Sequence, residues 1–170
     1  MKNIPFLNWI KTPEGAWTML RLLSFLVFPI CIYADSSQWN GSIISMIIIG
    51  FGALIMIKMG YVFFTRKEFK TMLDGSKGNK IVTDGLFKYT RHPFYFGFWV
   101  LYLGILYAFH GFYLLCFVIL YTLLTFIAMS EEEYRLKKNF AEYDDYTKNT
   151  PVFFPVKFIS FLKTLFTLNF

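Results

Sequence analysis

Apolar residues are gathered into four long runs, at 16–34, 41–64, 94–109 and 112–130. A bilayer core of ~30 Å takes about 20 helical residues to cross. Inside it every backbone N–H and C=O must find a partner within the protein, which leaves the helix as the natural spanning element for runs of this kind. The expected fold is therefore all-α: a polytopic membrane protein with about four transmembrane helices, forming one domain over 1–170. The composition agrees, with 56% hydrophobic and only 16% charged residues, where a soluble domain carries about 25% charge. Only His110 and Gly111 separate the last two runs, so these should form a tight hairpin.

The net charge of +6 would suggest nucleic acid in a soluble protein. Here the basic residues lie between the apolar runs, so the charge reads as topology, and the lipid bilayer rather than nucleic acid is the expected partner. The connector 35–40 and the short hairpin hold no Lys or Arg. Arg66, Lys67, Lys70, Lys77, Lys80, Lys88 and Arg91 lie between the second and third runs, and Arg135, Lys137, Lys138 and Lys148 follow the fourth. Lys2 and Lys11 precede the first. All three basic segments then face the cytoplasm, with both termini, as in a bacterial inner-membrane protein. No cleavage site follows the first run, which reads as a retained helix. Two cations fall inside runs, Arg21 and Lys58; they either snorkel to the headgroups or meet an anion in a cytoplasm-facing cavity.

Cys31 and Cys116 lie in apolar segments without metal-site or redox spacing and read as packing residues. With His92 and His110 the only histidines, no metal site is expected. The final segment, 152–170, is apolar but interrupted by Lys157 and Lys163. On a helix starting near Pro155, Lys157, Ser160, Thr164 and Thr167 share one face, and Phe158, Phe161, Leu162, Leu165 and Phe166 fill the other. That pattern fits an interfacial helix rather than a fifth span.

Chemistry-bearing residues concentrate on one side. Thr83-Asp84-Gly85 is a turn signal. Pro93 suits the first turn of the third helix, where its missing N–H would lack a partner anyway. Arg91 and His92 then sit at that helix's N-terminus, a natural anion site. Gly97, about one turn deeper, lets a ligand or a helix approach. Contact of Arg91 and His92 with lipid phosphate, and of Tyr95 with the aromatic belt, would explain the same residues more simply.

The second cluster is Glu131-Glu132-Glu133 at the end of the fourth run. A helix continuing into water would accommodate it, with Glu131–Arg135 and Glu133–Lys137 as i,i+4 pairs. Three carboxylates beside anionic headgroups are nevertheless unusual unless a cation is bound. A hairpin of the third and fourth helices would bring His92 and Glu132 to one side, as a zwitterionic amino-acid moiety requires.

Arg91-His92-Pro93-x-Tyr95-x-Gly97, then Glu132-Glu133-x-x-Leu136-x-x-x-Phe140, Tyr143, Tyr146 and a Pro151…Pro155 ending, resemble the isoprenylcysteine carboxyl methyltransferase and phospholipid methyltransferase superfamily. Ile81-Val82-Thr83-x-Gly85 is similar to that family's approach to the motif, and the likeness covers about 78–155. It implies methyl transfer from S-adenosylmethionine to a lipophilic small molecule or lipidated substrate. By the same likeness Asn79, Lys80, Ile81 and Val82 line the adenosine, His92 and Tyr95 contact the methionine part, and Glu132 binds its ammonium. Phe87, Pro93 and Gly97 complete the cofactor-binding set, and Arg91, His92 and Glu133 form the catalytic set.

Two positions depart from the family. Phe87 stands where the family commonly has Tyr. Ala128 stands where its carboxyl methyltransferases carry an Arg associated with the substrate. The acceptor therefore stays open among a carboxylate, a phospholipid amine and a thiol. Two other readings of the chain are an NADPH-dependent membrane reductase and a non-enzymatic membrane interaction protein. The oligomeric state has no sequence signal.

Overall fold

The computed structural model describes residues 13–68 and 80–167. Every regular element among them is helical. In chain order these are α1 (Pro13–Leu22), a π-helical turn (Leu23–Val27), α2 (Phe28–Ala34), α3 (Ile43–Thr65), α4 (Pro93–Phe109), α5 (Phe112–Asn139), α6 (Tyr143–Asn149) and α7 (Phe158–Phe166). Short 3-10 turns cover Ser36–Gln38 and Gly85–Lys88. Two helices, α3 with 23 residues and α5 with 28, are long and apolar enough to cross a membrane. The other two apolar helices, Thr18–Ala34 and Pro93–Phe109, are shorter; 17 residues of α4 rise about 26 Å.

Pro29 explains the π turn. It has no N–H to give to the carbonyl one α-turn back, so an uninterrupted α-helix cannot run through it. The turn before it widens instead, and the Phe28 N–H reaches the Leu23 carbonyl, five residues back. The helix continues to Ala34 without breaking. α5 runs on through Glu131-Glu132-Glu133 to Asn139, as a helix extending beyond an apolar span would.

The chain divides into two compact units, Met1–Gly50 with Trp99–Glu133 and Phe51–Phe98 with Tyr134–Phe170. In the first, Tyr102 is the hub of an aromatic cluster. Its ring centroid lies 4.7 Å from those of Phe28 and Tyr121 and 5.0 Å from that of Phe117, each such pair adding about 0.5–1.5 kcal/mol beyond area burial. The Tyr102 hydroxyl donates to Ser24 Oγ at 2.8 Å. The hairpin expected at His110-Gly111 is present: His110 takes the left-handed conformation (φ 52), and α5 starts two residues later. Asp35 is 1% exposed, and its Oδ2 accepts the Leu114 N–H at 2.8 Å, one of the first-turn donors that a helix cannot satisfy itself. A side chain at Gly111 would collide with that carboxylate. Within this unit a Cβ on Gly104 would come within 3.0 Å of Ile49 and Ile48, so α4 and α3 meet closely there. Lipid tails are as apolar as these side chains, so close packing at small residues, not hydrophobicity, holds such helices together.

In the second unit the same two helices meet at Gly97, where a Cβ would fall 2.8 Å from Ile55 and 3.1 Å from Met56. Lys58 is buried rather than snorkelling. Its ammonium donates to the carbonyls of Thr164 at 2.5 Å, of Leu165 at 3.4 Å and of Thr167. A buried ammonium costs several kcal/mol unless it is paired or hydrogen-bonded, and the unsatisfied carbonyls at a helix C-terminus are its natural complement. α7 begins at Phe158, later than Pro155, because Lys157 adopts a left-handed conformation (φ 55). Its apolar residues divide between two surroundings: Phe161 and Leu165 are buried in the protein, whereas Ile159 and Phe166 are about 70% exposed. The helix is thus docked on its own unit as well as amphipathic.

Candidate functional site

The segment before α4 is irregular, and a network of backbone hydrogen bonds fixes it. Arg66, just after α3, donates to Asp84 Oδ1 at 2.6 Å. That bond holds the Arg66 guanidinium above its ordinary value. The turn predicted at Thr83-Asp84-Gly85 forms, with Gly85 at φ 59, a conformation that costs a glycine little. The 3-10 turn that follows buries Leu86 and Phe87.

The C-terminal part of the chain supplies the partners. Glu142 Oε1 accepts the Ile81 N–H at 3.2 Å. The Tyr146 hydroxyl, on α6, donates to the Phe87 carbonyl. The Arg91 N–H donates to the Pro151 carbonyl at 2.9 Å, and the Val156 N–H to the Tyr89 carbonyl at 3.0 Å. Thr90 is fully buried; its hydroxyl donates to the Phe153 carbonyl at 2.8 Å and accepts the His92 N–H at 3.4 Å. The sequence reading gave Thr90 no part here, and it offered Lys58 as a snorkelling cation or an anion contact, not as a partner of helix-end carbonyls. A Thr hydroxyl accepting the N–H two residues on is an ST-turn, a local pattern that a Thr just before a helix start allows. Nothing near Lys58 in the sequence announces a partner more than 100 residues away.

α4 opens at Pro93 as expected. His92 is 4% exposed and Tyr95 2%, with their ring centroids 5.6 Å apart. Phe96 behind them meets Phe153, Phe154 and Phe161 edge-on at 5.8–6.3 Å. Val82, Phe87 and Pro93 are buried; Ile81 and Arg91 are partly exposed, and Lys80 is exposed. Lys80, Ile81, Val82, Phe87, Arg91, His92, Pro93, Tyr95 and Gly97 thus all belong to the second unit. Of the two uses the sequence allows Gly97, the approach of a helix is the one seen. Asn79 lies outside the described residues. Glu132, 7% exposed, and the partly exposed Glu133 lie on α5 in the first unit. Among the described residues no group of three or more His, Cys, Asp or Glu could hold a metal ion.

The sequence profile of the isoprenylcysteine carboxyl methyltransferase (ICMT) family matches residues 43–138. A curated relative, the nickel-cobalt-cadmium resistance protein NccN of Alcaligenes xylosoxydans xylosoxydans, is 29% identical over 129 residues, which cover 74% of this chain. The match takes in 58% of that relative's length. No solved structure matches.

Proposed function

The chain belongs to the isoprenylcysteine carboxyl methyltransferase family of membrane proteins, and from that premise we propose that it transfers a methyl group from S-adenosylmethionine to a lipophilic or membrane-associated acceptor. The observation that carries the reading is a buried histidine beside a buried tyrosine at the start of an apolar helix, within the family's matched region.

The residues present suit such a cofactor by their chemistry. His92 at the N-terminal end of α4 suits a carboxylate, because the positive end of the helix dipole adds to its own donors. Val82, Phe87 and Tyr95 offer a buried apolar and aromatic wall. Glu132 takes the ammonium by its place in the family motif. Asn79, Lys80 and Ile81 fall to the adenosine by the same motif, and Pro93 and Gly97 fix the start of α4. When bound, S-adenosylmethionine supplies a methyl group activated by a sulfonium. The chain's own task is alignment, which can contribute on the order of 7–11 kcal/mol. Arg91 and His92 orient the reacting end. A carboxylate acceptor needs no base. An amine or thiol must lose a proton, for which Glu133, Tyr89 and Tyr95 are the candidates. Ala128 removes the family's arginine partner for a substrate carboxylate, so a phospholipid amine or a thiol stands level with a prenylcysteine.

Membranes containing the protein, incubated with methyl-labelled S-adenosylmethionine, are expected to yield a labelled lipid-soluble product that His92→Ala abolishes. Equal labelling with and without the protein would reject the proposal. A second reading, metal resistance without methyl transfer, rests on the name of the curated relative. It predicts that wild-type protein raises metal tolerance and that His92→Ala raises it equally. For topology we propose four spans with the basic segments cytoplasmic, to be checked by cysteine labelling at Lys88 and Asn40.

A further inference from the structure

Lys58 lies within α3 and outside every motif, yet it leads to the segment that carries His92. Its ammonium donates to the carbonyls of Thr164, Leu165 and Thr167 at the C-terminal end of α7. On that last stretch of α7 the Thr164 hydroxyl donates to the Tyr89 hydroxyl at 3.3 Å. One turn earlier the Phe161 ring stands perpendicular to the Tyr89 ring at 6.2 Å. Tyr89 is also fixed at its backbone, where its carbonyl accepts the Val156 N–H. Thr90, Arg91 and His92 follow directly.

We propose that Lys58 is a positioning residue for the cofactor-binding segment: it clamps the C-terminal end of α7, and α7 holds Tyr89 and the strand of chain leading to His92. A lysine serves here because a helix C-terminus offers several carbonyls converging on one volume, and an ammonium has three donors to give. An apolar residue of the same length would fill the space and take this donor from those carbonyls, leaving that of Thr164 with the Thr167 hydroxyl. The far end of α7 would then lose its ammonium anchor while keeping the buried Leu165, and the Thr164–Tyr89 hydrogen bond would no longer start from a fixed base. The inference rests on the reading of 80–97 as a cofactor segment, but its structural half does not.

The test uses the full-length protein in lipid nanodiscs, as wild type, Lys58→Met, Lys58→Arg and Thr164→Val. Amide hydrogen exchange is followed at 158–166 and at 86–92, and S-adenosylmethionine affinity is measured on the same samples. Lys58→Met is expected to speed exchange in both segments and to weaken cofactor binding roughly tenfold to a hundredfold, the scale of a small misplacement at a site. Lys58→Arg, which keeps a buried donor, recovers most of the affinity. Thr164→Val speeds exchange at 86–92 and weakens binding while 158–166 stays protected. Faster exchange at 158–166 with 86–92 and the affinity unchanged would overturn the proposal, as would Lys58→Arg and Lys58→Met behaving alike. If the wild type binds no S-adenosylmethionine, the functional reading fails, and exchange at 86–92 alone decides whether Lys58 positions the segment.

Discussion

Asp35 and Lys58 are opposite solutions to one problem, an ionisable side chain buried among apolar helices. Asp35, in the first unit, accepts from the N-terminal turn of α5. Lys58, in the second, donates to the C-terminal end of α7. Each complements the helix end of suitable polarity. They differ in what lies beyond. Asp35 ties the 35–42 connector to the turn that opens α5, and the Asn40 N–H of that connector donates to the Ala108 carbonyl at the end of α4; no proposed cofactor residue adjoins it in the chain. Lys58 ties down a helix that borders irregular backbone, and that backbone finds its partners one hydrogen bond at a time from 142–156. Irregular chain of this kind persists near membrane depth only where the protein itself supplies the partners, and it is where binding residues concentrate. Burial of a charge alone therefore does not distinguish scaffold from the proposed site; what the buried group's partner holds does.

The comparison can be broken at several points. The largest effect is expected from Phe161→Ala. This ring is fully buried at the centre of the second unit's aromatic contacts, so the loss should be about 3–5 kcal/mol, read by reversible unfolding in detergent. Ile159→Ala, on the exposed side of the same helix, should cost far less, and equal losses would show that α7 is not docked. Asp35→Ala should cost about 1–3 kcal/mol by leaving the Leu114 N–H without its acceptor, with cofactor affinity unchanged. A fall in affinity there would erase the contrast with Lys58. Gly97→Ala and Gly104→Ala should each cost about 1–3 kcal/mol through overpacking against α3, but only Gly97→Ala should also disturb binding, since Gly97 lies on the first turns of α4 after His92.

The smallest effect concerns an exposed pair. The Lys148 ammonium, donating to Asp145 at 2.7 Å, holds that carboxyl below its usual range, and Lys148 is raised in turn. Asp145's contribution is thus present above the ordinary Asp value and lost as pH falls through its lowered one. That of Lys148 is present below the ordinary Lys value and lost as pH rises through its raised one. Asp145→Asn should flatten both the acid and the alkaline limb of the stability profile, and only at low salt.

The apolar runs made the helices legible. The runs at 41–64, 94–109 and 112–130 became α3, α4 and α5 with shifts of a residue or two, apart from the far end of α5. There the helix runs to Asn139 because Glu131-Glu132-Glu133 and the basic residues after them form a charged, helix-favouring continuation rather than a stop. The π turn was missed although Pro29 announces it, because a single proline in an apolar run predicts a defect without saying how the helix absorbs it. That Pro93 opens α4 with Arg91 and His92 at its start was readable from helix-start chemistry; Tyr95 entered through the family resemblance. Asp35 read as a connector residue and Lys58 as a snorkelling cation or an anion contact, since their partners are far off in the chain and no local pattern encodes them. The two shorter apolar helices match the expected runs in place, with α3 and α5 being the ones long enough to cross a membrane by themselves.

We propose that S-adenosylmethionine binds through residues that include His92 and Glu132. Calorimetric titration of the cofactor into purified wild type, His92→Ala and Glu132→Ala tests it most directly. Saturable binding by the wild type, lost in both variants while their helical content and melting stay unchanged, is the predicted result. Binding of equal strength in all three would contradict it.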